Sequence, residues 1–302
     1  MSIDRRGFLA GAGALTLAAL AGCGFGADTP TVRLGAGERG GLYYAFAGLL
    51  AAAGGAIVRV EPVTTAGSRE NLDLLAVGTV DAALALADSI RPDDDVRALG
   101  RVYENYLQLA VRADSPIGTV ADLRGRRMNL GAVGSGAART GERLLLVAGL
   151  DPAADVSVTH LPLQQAVAAL DEGTVDAMLW AGGVPTIALM LPEGLRLVPL
   201  GELVDPMRAR FGPFYDPVRV PAGAYPGVAG VATIGVPNFL LCRPGMRDAT
   251  AQALVGLLLA DAHALVPDEA AGTQFLDGRS LIATGDIPLH PGAVEAYRRW
   301  HG

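Results

Sequence analysis

The chain has 302 residues, 51% of them hydrophobic, with 40 glycines, no lysine and a formal net charge of −7. This acidic balance disfavours nucleic-acid partners, and the missing lysine excludes both a P-loop lysine and a lysine Schiff base. His160, His263, His290 and His301 lack the i, i+4 spacing of a helical zinc site, and Cys23 and Cys242 are too few to form a cysteine cluster, so no metal site is expected.

Residues 1–22 have the layout of an export signal. Arg5-Arg6 precede an apolar stretch, Phe8 to Ala21, that is shorter than the ~20 residues of a membrane span. Asp4-Arg5-Arg6-Gly7-Phe8-Leu9 resembles the twin-arginine signal, whose machinery exports folded proteins, and Leu20-Ala21-Gly22-Cys23 resembles the lipoprotein box. The resemblance implies cleavage before Cys23, lipidation of Cys23, a tether over residues 23–30, and an extracytoplasmic protein anchored to the cell membrane. Loss of residues 1–22 removes Arg5, Arg6 and Asp4 and leaves the mature chain one unit more negative. Cys242 then stands alone in an apolar run, the setting of a buried, inert thiol.

From Thr31 onward strands and helices alternate. A strand, Val32 to Leu34, enters the turn Gly35-Ala36-Gly37-Glu38-Arg39-Gly40, and an apolar helix, Leu42 to Ala53, follows. Next come a strand from Ala56 to Val60, the polar loop Thr64 to Ser68, a helix from Arg69 to Ala76 with Ser68 and Asn71 placed to cap it, a helix-ending Gly78, and a strand from Val80 to Leu86. The plan then repeats. Arg33-Leu34-Gly35-Ala36 is echoed 96 residues on by Asn129-Leu130-Gly131-Ala132, and Gly78-Thr79-Val80-Asp81-Ala82 is echoed 95 residues on by Gly173-Thr174-Val175-Asp176-Ala177. The second unit has strands Arg127 to Leu130, Val156 to Val158 and Val175 to Leu179, with helices Ala138 to Ala148 and Ala166 to Leu170. Two apolar runs ending in Arg, Asn105 to Pro116 and Val236 to Pro244, are expected to cross between the lobes as a two-strand hinge. Asp205 to Gly230, rich in Pro and Gly, is expected to be irregular, and Ala249 to Ala264 to be a helix returning to lobe one. The result is an α/β protein of two similar lobes: lobe one over 31–112 plus 243–302, lobe two over 113–242. Ligands of such sheets sit beyond the strand C-termini, where the glycine loops lie.

The first glycine turn admits two chemistries. Strand, G-x-G-x-x-G and helix stand in dinucleotide-binding order, with Glu61 near the place of a ribose-binding acid, which would make the protein an exported NAD(P)-dependent oxidoreductase. The second unit has no equivalent acid, and no general acid for hydride transfer follows. Alternatively, a helix N-terminus from each lobe docks a carboxylate on unpaired N–H groups, which would make the protein a solute receptor.

Several motifs favour the receptor. Gly40-Gly41-Leu42-Tyr43-Tyr44, Thr65-Ala66-Gly67-Ser68-Arg69-Glu70-Asn71-Leu72, Val111-Arg112-Ala113-Asp114-Ser115, Asp122-Leu123-Arg124-Gly125-Arg126-Arg127, Gly134-Ser135-Gly136, Gly183-Val184-Pro185 and Pro221-Ala222-Gly223-Ala224-Tyr225-Pro226-Gly227 occur in one order over most of the mature chain. In this the chain resembles the TAXI family, the substrate-binding proteins of a subclass of tripartite ATP-independent periplasmic (TRAP) transporters. The resemblance implies a two-lobed, type II periplasmic-binding-protein fold, each lobe a mixed sheet flanked by helices. It further implies a monomer that closes over its ligand and delivers it to a TRAP-type membrane permease driven by an ion gradient, with no enzymatic activity and no cofactor. A sensory receptor without transport is the rival within the same fold. The chain departs from the family in reading Leu86-Ala87-Asp88 where Q-S-D is usual, and in placing Ala137 where a polar residue is usual after G-S-G. Both changes make the cleft less polar.

The expected ligand is a small carboxylate, either an amino acid such as glutamate or glutamine or a dicarboxylate. Its expected site combines close backbone approach at Gly40 and Gly41, a wall from Tyr43 in preference to Tyr44, hydroxyls of Thr65 and Ser68, an N–H cradle at Ser135 and Gly136, and Gly183 and Pro185 at the cleft edge. Ser135 lacks a G-x-S-x-G setting and is not expected to be a nucleophile. Asp93-Asp94-Asp95 is expected to be a solvated loop and not a calcium site.

Overall fold

The computed structural model describes residues 29–190, 194–260, 262–267, 270 and 277–302. The expected export signal and the lipidated Cys23 lie outside the described residues. Lobe one begins with β1 (Thr31–Gly35), α1 (Leu42–Gly54), β2 (Arg59–Val63), α2 (Ser68–Ala76) and β3 (Ala82–Leu86), and the long strand β4 (Arg97–Arg112) leads out of it. Lobe two contains β5 (Arg127–Asn129), α3 (Gly136–Val147), β6 (Ser157–Thr159), α4 (Leu163–Asp171), β7 (Ala177–Gly182), β8 (Leu195–Val198), α5 (Val204–Phe211) and β9 (Asp216–Val220). The second long strand, β10 (Val231–Cys242), leads back to α6 (Asp248–Ala260) and α7 (Pro291–His301).

One mixed sheet runs through both lobes in the order β2-β1-β3-β10-β4-β7-β5-β6, with β8 on β4 and β9 on β10. The long strands make it continuous. β4 pairs with β10 from Arg97 to Tyr106 and with β7 from Tyr106 to Ala110. β10 pairs with β9 from Val231 to Gly235 and with β3 from Asn238 to Cys242. Each strand therefore changes neighbours within its length, near residues 105 and 236. Apolar side chains segregate accordingly: Leu34, Phe46, Leu50 and Leu254 fill one core, and Leu130, Leu144, Leu145 and Leu179 another.

The repeat seen in the sequence is a structural one. Arg33 donates through its backbone N and guanidinium to Asp81 at 2.9–3.0 Å and to the Gly78 carbonyl at 2.9 Å. Arg127 makes the same set with Asp176 at 2.6–3.1 Å and with the Gly173 carbonyl at 2.9 Å. Each fork ties the start of a third strand to the first. Gly78 and Gly173 both take positive φ, 79° and 72°, as glycines ending a helix do.

Several elements differ from expectation. The first half of β4 was hidden because Arg97, Arg101 and Glu104 interrupt the apolar pattern. Within the sheet Arg101 donates to Glu104 Oε1 at 2.7 Å and to Asp216 Oδ2 at 3.2 Å. Asp205 to Gly230 is not wholly irregular, since it holds most of α5 and all of β9. Pro206 lies in the first turn of α5, where an N–H has no intrahelical partner, and Pro217 lies in an edge strand. β2 starts three residues later than expected because Gly55, at φ 48°, and the Ile57 N to Gly54 O bond extend the helix exit. Cys242 is free and fully buried, and burial pushes its thiol up to about 12.

Candidate functional site

Beyond the C-terminal ends of β1, β3 and β5, the N-termini of α1, α2 and α3 converge on a cavity of about 50 Å³ between the lobes. Gly41 is the N-cap of α1, in extended conformation. Gly67 caps α2 at φ 130°, and its would-be Cβ lies 3.3 Å from Ser135 Cα of the other lobe, so a side chain there would both strain the backbone and press the lobes apart. Ser135 caps α3, its Oγ accepting from Ala138 N at 3.1 Å. The N–H groups of a first helical turn have no intrahelical acceptor, and the residues that carry them in α1 and α3, Leu42 and Tyr43 and then Gly136 and Ala137, are among those lining the cavity.

The walls are mainly apolar. Leu42, Leu86, Ala137 and Trp180 line the cavity, and Gly136 is packed so closely that a Cβ would stand 2.5 Å from Leu86 Cδ1 and 2.6 Å from Ser68 Oγ. Polar groups are few. The Tyr43 hydroxyl lies 3.0 Å from Ser68 Oγ, which also accepts from Leu86 N at 3.1 Å. Burial raises the Tyr43 phenol well above its ordinary value, so it stays a neutral hydroxyl. Asn105 donates to the Ala181 carbonyl at 3.1 Å, and its buried Oδ1 has no hydrogen-bond partner.

The lobes also hold each other directly. The Glu38 carboxylate, in the glycine turn of lobe one, accepts from Leu163 N, the first N–H of α4, at 2.9 Å. Burial lifts the Glu38 carboxyl above the usual carboxylate range, and the Leu163 bond offsets only part of that. Arg69 N and Glu70 N in α2 donate to the Gly134 carbonyl at 3.0 and 3.3 Å. Buried Asp88, after β3, accepts from Thr140 at 2.8 Å and Tyr215 at 3.1 Å and faces Arg143 at 3.3 Å, all three in lobe two. Burial raises the Asp88 carboxyl, against the pull of Arg143 and the two hydroxyls.

Of the expected site residues, Gly41, Tyr43, Ser68, Ser135 and Gly136 meet at this cavity. Tyr44 instead stacks beneath Arg39, 4.8 Å from its ring centroid. Gly40 is exposed and off the lining, at φ 82° opposite Gln164. Thr65 is also off it, because its hydroxyl accepts from Gly37 N at 2.9 Å and donates to Asn71 Oδ1 at 2.5 Å, bracing the two loops. Ser68 does not cap α2: Gly67 takes the N-cap place, and Ser68 faces Leu86 and Tyr43. Gly183 and Pro185 lie beyond the cavity. The Gly183 carbonyl accepts from Gln108 at 2.9 Å and Thr186 at 2.8 Å, and the Val184-Pro185 peptide is cis. Asp94, expected in a solvated loop, is instead held by a two-bond pair with Arg69 at 2.8 and 3.0 Å. Glu38, Asn105 and Trp180 were not anticipated. Their signals were an acid inside a glycine turn, an amide opening an apolar run, and one of only two tryptophans at a strand end.

The dinucleotide reading fails on topology. In a dinucleotide-binding sheet of order 3-2-1-4-5-6 the first strand lies between the second and the fourth, whereas here β1 lies between β2 and β3, and antiparallel β10 comes next. Among the described residues no helix is long and apolar enough to cross a membrane.

Two α/β lobes joined by two crossing strands, with helix N-termini facing one cleft, define the architecture of periplasmic solute-binding proteins. A Bordetella bronchiseptica RB50 protein matches at TM-score 0.55, with 15% identity over 91% of this chain and 99% of its own. The alkanesulfonate-binding protein of Xanthomonas axonopodis pv. citri, solved with MOPS bound, matches at TM-score 0.51, with 21% identity over 91% of this chain and 92% of its own. Residues 34–299 match the model of the NMT1-like family, and the chain belongs to that family.

Proposed function

We propose that this protein is an extracytoplasmic receptor, anchored through lipid on Cys23, that captures a small carboxylate as a monomer and delivers it to a TRAP-type secondary permease. The observation that carries this reading is the convergence of α1 and α3, one from each lobe, on a single cavity lined by residues of their first turns. A carboxylate there meets two positive helix ends without a cationic side chain, and the short hydrogen bonds of a closed cleft escape the salt screening that weakens long-range repulsion by an acidic surface. Assignment to the TAXI class is supported by the motifs that supply this lining, Gly40 to Tyr44, Thr65 to Leu72 and Gly134 to Gly136. The cavity has lining residues from both lobes, so ligand contacts with both favour the closed form.

A thermal-shift screen tests the reading. Amino acids, dicarboxylates, keto acids and short monocarboxylates are compared with sugars, polyamines and, given the ligand of the Xanthomonas protein of similar fold, alkanesulfonates. Saturation at 100 times Kd adds roughly 2.7 kcal/mol of stability. Stabilisation by sugars or polyamines and by no carboxylate overturns the docking argument.

A further inference from the structure

The cleft contains more helix N-termini than it leaves open. α4 meets the Glu38 carboxylate at Leu163 N, 2.9 Å away. The α2 N–H groups of Arg69 and Glu70 meet the Gly134 carbonyl, and the Glu70 carboxylate turns back to Ala66 N at 2.6 Å. Only α1 and α3 remain to receive an anion from outside. The seat on α4 is already filled by a carboxylate, and that carboxylate belongs to the protein.

We propose that Glu38 is a specificity-determining residue: by seating its own carboxylate on the N-terminus of α4 at the cavity edge, it confines the site to small monocarboxylates and rejects dicarboxylates. The proposal rests on the carboxylate-receptor reading and narrows it. Three observations carry it. Glu38 is itself part of the cavity lining, so a second ligand carboxylate would lie beside a like charge in a partly desolvated place, where repulsion is strong. The space there is narrow, since even a Cβ at Gly136 would stand 2.5 Å from Leu86 Cδ1 and 2.6 Å from Ser68 Oγ, and it suits a short chain. Of the other lining side chains, Leu86 and Ala137 offer a second carboxylate no donor, the hydroxyls of Tyr43 and Ser68 bond each other and that of Ser135 caps α3, and the unpartnered Asn105 Oδ1 is an acceptor. An acceptor suits a ligand hydroxyl or ammonium group and opposes a second anion.

Calorimetric titration of the full chain with butyrate against succinate, and alanine against aspartate, decides the matter. The wild type is expected to prefer the monocarboxylate of each pair by on the order of tenfold or more. Glu38→Ala, which vacates α4, is expected to bring each ratio close to one by gaining affinity for the dicarboxylate. Glu38→Gln keeps an acceptor for Leu163 N and removes only the charge, so its ratios should fall between the two. Far-ultraviolet dichroism and urea midpoints establish that both variants are folded, and the isosteric Gln variant serves if Ala is not. Equal wild-type affinity for both members of each pair, or ratios unmoved in both variants, overturns the proposal while leaving the carboxylate reading intact. Failure of every carboxylate to bind any variant overturns the parent reading and this proposal with it.

Discussion

Where their strands begin, the two lobes are near copies. Arg33 and Arg127 hold Asp81 and Asp176 in the same three-way fork, and the guanidinium groups of Arg243 and Arg112, at the ends of the two crossing strands, lie against Gly78 and Gly173 in turn. At the opposite ends, facing the cleft, the copies part. Lobe one brings hydroxyls, Tyr43 and Ser68, and an acid, Glu38. Lobe two brings the N-cap Ser135 and Gly136 of α3, with Ala137 and Trp180. The supporting end does one job in both lobes, joining strand starts to a helix end. At the cleft end the two lobes contribute different chemistry, and on the receptor reading they would divide recognition between them.

The strongest way to break this comparison is through the cores. Leu50 and Leu145 stand 95 residues apart at matching places in α1 and α3, and both are fully buried. Each Leu→Ala change is expected to cost about 2–5 kcal/mol. Trp300 reports on lobe one and Trp180 on lobe two, and because β4 and β10 run through both cores, both probes should follow one urea transition in either variant. Separate transitions, or losses differing by more than about 2 kcal/mol, would mean that the lobes are alike in plan and not in energetics.

The hinge comes next. Burial, with Asp216 nearby, pushes the Glu104 carboxyl from the usual 4.5 to about 7. A raised folded value means that the stability contributed by Glu104 is complete below the unfolded value near 4.5 and is lost as pH rises through 7. Asp216 is shifted downward, so it adds no slope in this window. The unfolding free energy from urea titrations should therefore fall between pH 4.5 and 8, by on the order of 2–3 kcal/mol, and Glu104→Gln should flatten the curve. An equally steep curve in that variant would place the titration elsewhere.

Gly41 and Gly136 sharpen the difference at the cleft, again 95 residues apart. A Cβ at Gly41 meets its own turn, 3.2 Å from the Glu38 carbonyl, whereas one at Gly136 meets Leu86 and Ser68 of the other lobe. Gly136→Ala should oppose closure by roughly 1–3 kcal/mol, enlarging the radius of gyration in small-angle scattering and weakening ligand binding about 10- to 100-fold. Gly41→Ala should leave the scattering profile unchanged. The smallest effects belong to the forks. Arg33→Ala and Arg127→Ala should lower Tm equally and by no more than about 3 °C, since both pairs are partly exposed and screened. A clear inequality would show that only one fork supports its lobe.

The sequence displayed the scaffold through its period, because Gly78 and Gly173 need positive φ and the alternation of strand and helix is local. Helical spacing showed that Tyr43 and Tyr44 point to different sides, but not which of them meets the cavity. Ser68 was misread because a serine before a helical run satisfies the capping rule, while the competing donor, Leu86 N, lies across the sheet. Thr65 was misread likewise, through Asn71. Pro206 and Pro217 looked like breakers, and nothing local tells a first helical turn or an edge strand from a loop. Glu38 and Asn105 gain their meaning only when the two lobes face each other, and no local pattern carries that.

The place of β10 sets an order of assembly. It is the last strand among the described residues and is flanked by β3 and β4, made well over a hundred residues earlier. Until residues 231–242 emerge from the ribosome, the sheet of lobe one has a gap at its centre and β3 keeps a bare edge, whereas β7, β5 and β6 of lobe two already have their neighbours. A bare edge is a template for mispairing with another chain. β9 of lobe two waits for the same strand, and Ile234 and Val236 complete the core of that lobe, so both lobes are sealed only once β10 is in place.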